Sequence, residues 1–404
     1  MLRAVPPQLE TADSTAREPD WDALFAAAGL DRSRFAPAAP RWVPPEPFDA
    51  RREWTGSASW APDVKLRVSA AGYRGKPVYL EVLGPWSRAE RMQQEPTDAA
   101  TKVARAAVLT VLFILLGVCG FFAWRNFRLD RGDRRGARAL ALVILALLWT
   151  ATVVGAHHVA DPDQELQLLL LALASGMLSG AFYAFIYLAL EPYVRRTMPE
   201  LLIGWARLFE GRFRDPRVGR DFLIGAVFGA VLALASHVTK ALPAWFPFRG
   251  ATTIAPDLSM LAGGGRFAAS LALLPILSLA PAMIFFALYF LLRLTLRRPP
   301  LAMAGLIVIT VLISLSGENL GLRLPELILY AVLLTFVVAR FGLLAAVGLF
   351  FTNRVLTQAP LPPDFLRPYA VVSVVCLLVF VAVIGYAFRI SLGSRPVFGS
   401  SLDA

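Results

Sequence analysis

Up to Thr101 the apolar residues of this chain occur singly or in short alternating groups; beyond it they gather into long runs separated by short charged stretches. A helix needs about 20 apolar residues to cross the hydrocarbon core of a bilayer. The runs are Ala106 to Trp124, Ala139 to Ala156, Leu168 to Leu190, Phe222 to Leu242, Phe267 to Leu292, Leu301 to Leu315, Leu327 to Phe351 and Tyr369 to Phe388. The pattern predicts a mainly α, polytopic helical membrane protein of about eight transmembrane helices with a small N-terminal α+β head. The expected division is a head over residues 1–100, a membrane domain over 101–390 and a short tail over 391–404. The sixth run is short for a crossing, and Pro275 and Pro281 predict a kink in the fifth, which membrane helices tolerate.

Periodicity within the head predicts one short helix and a hairpin. Asp20 is placed to cap a helix whose Trp21, Leu24, Phe25 and Ala28 share a face, and Gly29 is placed to end it. A Pro-rich connection follows from Pro37 to Pro47. Val64, Leu66 and Val68 alternate with Lys65, Arg67 and Ser69, as in a half-buried strand. Gly72 and Gly75 mark a turn, and Val78 to Leu83 returns as a second strand. Trp42, Trp54, Trp60 and Trp86 are expected in the core or rim of this unit.

Composition and charge narrow the class. Of 404 residues, 57% are hydrophobic and 17% charged, too apolar for a soluble protein of this length. The net charge of +11 does not imply nucleic acid as a partner, because the arginines cluster beside the apolar runs. Assigning the loops alternately to two sides puts 18 basic residues on one and 6 on the other. The larger group includes Arg125 to Arg138, Arg195 to Arg220 and Arg293 to Arg298. The positive-inside rule places it in the cytoplasm, with the head and both ends of the chain outside. An external head with no apolar segment before it is expected to be the later part of a longer chain. Cys119 and Cys376 lie within apolar runs, without neighbours at metal-ligand spacing.

Candidate chemistry is sparse. Thr197 and Glu200 have the spacing of a capping box ahead of a helix near 199–212. There Trp205, Leu208 and Phe209 form an apolar face, and Arg207 and Arg212 a basic one, as in an interfacial helix on an anionic inner leaflet. Glu191 and Arg195 share the E-x-x-x-R spacing of one class of intramembrane metalloproteases, a remote alternative, since His157, His158 and His237 fall at the outer ends of their runs, across the bilayer from Glu191. Arg340 interrupts the seventh run; it either pairs with Glu318 or Glu191 or marks a break in the helix. Gly176 and Gly180 offer a small-x-x-x-small packing face. No catalytic set and no cofactor site is predicted. A permease-like transporter is the competing class, with Arg340 the one central charge.

Several stretches resemble one family. They are VPPQLE, WDALFAAAGLDRSRFAPAAPRWVPPEPFDAR, YRGKPVYLEVLGPWSRAERM, RPVFG and, longest, YLALEPYVRRTMPELLIGWARLFEGRFRDPRVGRD from Tyr187 to Asp221. They are similar to the C-terminal extracytoplasmic and multi-pass membrane region of large serine/threonine protein kinases of Acidobacteria and related bacteria. The resemblance implies a membrane sensory or anchoring module that works with a kinase domain or another signalling partner. The kinase motifs themselves are absent: no Gly-rich loop with a strand lysine, no His-Arg-Asp and no Asp-Phe-Gly. No catalytic residue carries over.

Overall fold

The computed structural model describes residues 18–87, 99–245, 259–261, 263–315, 320–359 and 370–393. The chain forms two compact units, Met1–Pro96 and Thr97–Ala404.

In the first unit, α1 (Trp21–Ala27) precedes a four-stranded antiparallel meander of β1 (Phe35–Ala38), β2 (Ala50–Ala58), β3 (Ala61–Tyr73) and β4 (Lys76–Leu83). Asp20 caps α1 as expected, its Oδ1 accepting from the backbone N–H of Asp22 and Ala23. Gly29 follows the helix at φ +67°, a conformation that suits a helix stop. The β3–β4 turn is Arg74–Gly75, both at positive φ, which matches the twist of a two-residue hairpin. Gly72 lies inside β3, not in the turn.

The core sits between α1 and one face of the sheet. Phe25 meets Trp54 edge-on at 5.0 Å and Phe35 at 5.6 Å, over Leu66 and Val68. Neighbouring residues on a strand point to opposite faces. On the other face Glu53 is 2% exposed and accepts from the backbone N–H of Arg41 and Trp42 and from the Arg67 guanidinium, at 2.5–2.8 Å. Covering on both faces removes the polar alternation from β2, which is why the pattern missed that strand. β1 was missed as well; it carries Pro37 at the sheet edge, where proline is tolerated. Of the four tryptophans, Trp54 is buried, whereas Trp60 and Trp86 are exposed on the surface of the unit. Ala28 is exposed too, correcting its place on the buried face.

The second unit is helical. Its elements are α2 (Ala99–Arg128), α3 (Arg134–Gly155), α4 (Pro162–Thr197), α5 (Ile203–Phe209), α6 (Pro216–Trp245), α7 (Gly264–Leu296), α8 (Pro299–Ser314), α9 (Leu320–Phe341), α10 (Leu343–Gln358) and α11 (Ala370–Ser391). Among the described residues seven helices are long and apolar enough to cross a membrane: α2, α3, α4, α6, α7, α9 and α11. α8 and α10 are shorter apolar helices of 16 residues. α7 runs on through Pro275 and Pro281. Large apolar side chains point away from the protein along these helices, Phe113 and Leu178 among them, as a lipid solvent requires. The chain is a polytopic helical membrane protein with a small α+β head.

Helices approach one another through glycine. A Cβ on Gly176 would lie 2.7 Å from Leu145 of α3, and one on Gly180 2.6 Å from the Ala141 carbonyl, so the small-residue face of α4 packs as expected. The tightest pair is α6 with α10. A Cβ on Gly225 would fall 1.8 Å from the Ala345 carbonyl oxygen, and one on Gly229 2.4 Å from that of Leu349. The ascending register shows that α6 and α10 run in the same direction.

The predicted seventh span is two helices. α9 stops at Phe341, Gly342 takes φ +84° against the Leu201 backbone, and α10 turns back. A side chain there would strain the backbone and strike the Leu201 carbonyl oxygen, 2.1 Å from where its Cβ would lie. The turn changes the charge map. Arg340 is exposed at the end of α9, on the arginine-rich end of the bundle. Arg389 joins that end because α11 lies antiparallel to α6, with Ala387 against Gly219. Arg354 moves to the opposite end, near His237, which hydrogen-bonds the Leu356 carbonyl.

Candidate functional site

The arginine-rich end brings together the α2–α3 loop, the last turns of α4, α5, the start of α6 and the α9–α10 break. Its organising residue is Asp133. As the N-cap of α3 its Oδ1 accepts from the Gly136 N–H at 2.9 Å, and its Oδ2 accepts from the Tyr187 hydroxyl of α4 at 3.2 Å. The Asp133 backbone N–H in turn donates to Glu191 Oε2 at 3.2 Å. Glu191, 4% exposed, is held on its other oxygen by Arg195 at 2.6 Å, one turn further along α4. The E-x-x-x-R pair is therefore a helix-end brace.

A second clasp sits beside it. Pro192 has no N–H, so the Leu188 carbonyl loses its usual helical donor. Asn126, 2% exposed at the end of α2, supplies one: its Nδ2 donates to the carbonyls of Leu188 and Ala189 at 2.9 and 3.1 Å. The proline defect in α4 thus becomes the docking point for α2.

The segment after α4 differs from the expected interfacial helix. No capping box forms: Thr197 Oγ1 donates back to the Tyr193 carbonyl, and Pro199–Leu201 makes a 3₁₀ turn before the seven-residue α5. Trp205 is 3% exposed and packs on Phe209 at 4.6 Å within the main core. It is a core residue of the bundle, since α5 lies against α3, α6 and α10. Arg207 is likewise engaged, with both Asp215 oxygens at 2.7 Å, and Arg212 pairs with Glu210 at 3.4 Å. Burial pushes the Asp215 carboxyl up, but the Arg217 N–H and the Arg207 guanidinium outweigh it and hold it below the ordinary carboxylate range. At the start of α6 the buried Asp221 accepts from Arg220 at 2.9 Å and faces Gly204.

Of the sequence candidates, Glu191 and Arg195 fall together in this network. Arg207 and Arg212 pair instead with Asp215 and Glu210, Trp205 belongs to the bundle core, and Arg340 stands apart at the α9 terminus. Arg340 is not at mid-membrane depth, Glu191 is taken by Arg195, and Glu318 lies outside the described residues. Asp133, Asn126, Tyr187 and Asp215 were not anticipated. The signals available were Asp133 ahead of an apolar run, as an N-cap, and Pro192 in the last turns of α4, as the source of an orphaned carbonyl. A cleft of about 920 Å³ opens over the network, edged by Arg131, Arg135, Arg195 and Arg196.

No metal-like grouping of three His, Cys, Asp or Glu side chains occurs among the described residues. His158 is at the far end of α3, bonded to Glu165 at 2.8 Å; that carboxylate and the Val153 carbonyl raise its pKa above the usual histidine range. No family model matches the chain, and neither a curated protein nor a solved structure does.

Proposed function

We propose that this chain is the membrane-embedded sensory or anchoring module of a signalling protein, with its arginine-rich end in the bacterial cytoplasm and its head outside. It has no phosphotransfer chemistry of its own. The observation that carries this reading is the use made of the polar groups at the arginine-rich end. Asn126, Asp133, Glu191 and Asp215 each hold one segment to another, so the end behaves as a mechanical clasp. α2, the first helix after the head in the chain, ends in that clasp. A rotation or piston movement of α2 would pull on Leu188 and so on the Glu191–Arg195 brace. A kinase domain or other signalling partner in the cytoplasm would read the movement there. The resemblance to the membrane region of bacterial serine/threonine kinases supports the signalling half of the proposal, and the arginine bias supports the orientation.

The test has two arms. In intact cells an impermeant thiol reagent should label Ser57→Cys and leave Arg135→Cys untouched; the reverse pattern overturns the orientation. In nanodiscs, spin labels at Arg128 and Arg196 should report a changed distance when an antibody fragment clamps the head. An unchanged distance with every head-directed fragment counts against coupling.

A permease-like transporter is favoured by one observation. At the opposite end a cavity of about 340 Å³ is lined by Ser236, Arg323, Glu326, Tyr330 and Asn353 from α6, α9 and α10. Solute flux into proteoliposomes that is abolished by Glu326→Gln would favour that reading over the first.

A further inference from the structure

On the other side of the α2–α3 loop from the cleft, α2, α3 and α4 enclose a second, apolar crevice of about 770 Å³. That volume is in the range of small-molecule sites, roughly 300–1,000 Å³. Small residues make the room: Gly120 and Ala123 on α2, Ala141 on α3 and Ala184 on α4. The mouth lies at the arginine-rich end and carries Arg131, Arg134 and Arg138. No carboxylate lines the crevice. Arg134 leans on the ring of Phe127 and pairs with Asp130, an exposed residue outside the crevice. Arg131 and Arg138 form no ion pair among the described residues. At a membrane surface, two guanidiniums without a carboxylate partner over an apolar slot are complementary to an amphiphile with an anionic head.

We propose that this crevice is a specific site for an anionic phospholipid: one acyl chain enters between α2, α3 and α4, and the phosphate sits between Arg131 and Arg138. Arginine suits the role because its planar fork can give a phosphate two parallel hydrogen bonds. Asn126 and Leu188, which meet in the α2–α4 clasp, also line the slot. Lipid in the slot therefore bears on the junction through which α2 meets α4. The site does not depend on which leaflet it faces.

The experiment uses the whole chain, purified from nanodiscs of mixed phosphatidylglycerol and phosphatidylcholine, with retained lipid read by native mass spectrometry. Wild type should keep phosphatidylglycerol in preference to phosphatidylcholine. Each arginine near such a surface contributes about fivefold in affinity, so Arg131→Gln with Arg138→Gln should cut the preference roughly 25-fold. Ala184→Leu should fill the slot and lose the lipid with every arginine in place. Inorganic phosphate at millimolar concentration should not displace the lipid. Equal retention of the two lipids overturns the proposal, as does retention unchanged by Ala184→Leu. Displacement by phosphate alone reassigns the arginines to a free anion and also overturns it. If Ala184→Leu fails to fold, the double arginine variant decides alone: retention of wild-type preference there rejects the site.

Discussion

The head and the helical unit solve the same packing problem in different solvents. The head buries large rings: Phe25, Phe35 and Trp54 meet at 5.0–5.6 Å around a small sheet. Its driving force is removal of apolar surface from water, about 25 cal/mol per Å². The helical unit turns many of its large residues outward and brings helices together at glycines, Gly225, Gly229 and Gly180 among them. In lipid an outward leucine costs nothing, so association depends on close backbone approach and on polar links between helices. The two units also use their shielded acids differently, Glu53 and Glu191 being buried and Asp133 half-buried. Glu53 stitches a loop and a strand onto a sheet, whereas Asp133 and Glu191 tie the ends of separate helices.

This contrast predicts opposite sensitivities. The largest effect should come from Gly225→Leu. Its Cβ would enter the van der Waals shell of the Ala345 backbone, which cannot swing aside as a side chain can. The α6–α10 pair must separate, at about 4 kcal/mol or more. Thermal unfolding of the purified chain, read by a fluorophore on α10, should show the loss, while a probe on the head stays at its wild-type temperature. Equal loss at both probes would break the contrast. The reciprocal change is Glu53→Ala. It strands the partly buried Arg67 and two backbone donors, and a broken buried pair costs about 3 kcal/mol. Proteolysis should then open the head first and leave the helices protected.

Asn126→Ala comes next. It removes two hydrogen bonds and leaves the Leu188 carbonyl without a donor beside Pro192. Links of this kind between membrane helices are worth about 1 kcal/mol. A double variant with Pro192→Ala should recover most of the loss, because an alanine in place of the proline restores the N–H for which Asn126 substitutes. Failure to recover would mean that Asn126 acts by some route other than the orphaned carbonyl.

The clasp also shows what a sequence carries and what it hides. The long apolar helices as a class, the Asp20 cap and the β3 alternation are local facts, set by neighbours within a few residues, and they could be read directly. The number of spans could not, since about eight were expected and seven helices are long enough among the described residues, the expected seventh span being α9 and α10. Asn126 and Leu188 are 62 residues apart, and nothing near either names the other. β2 escaped for a related reason: its second face is covered by a loop that only the folded chain brings there. Trp205 misled because an apolar face beside arginines fits lipid and a protein core equally well; two of the helices that α5 packs against, α3 and α10, lie far along the chain.

The smallest expected effect concerns Arg340. A charge at the middle of a continuous 25-residue span would be costly, and replacing it would change stability or activity by several kcal/mol. Here the span is broken two residues later, and three local features agree on the break. Arg340 is in the last turn of α9, where a cation meets the helix dipole favourably. Gly342 follows at positive φ, as helix stops prefer. The Gly342 N–H donates to the Val337 carbonyl at 3.2 Å, which closes the final turn. The guanidinium is exposed and needs no buried partner. Arg340→Ala should therefore shift stability by no more than about 0.5 kcal/mol, the usual range for an exposed site. Gly342→Ala, two residues away, should cost several times that, because it must adopt a left-handed conformation against the Leu201 carbonyl. Measured side by side, the pair separates the two accounts of this arginine. A large effect of Arg340→Ala with a small one of Gly342→Ala would restore the single long span with a charge at its centre.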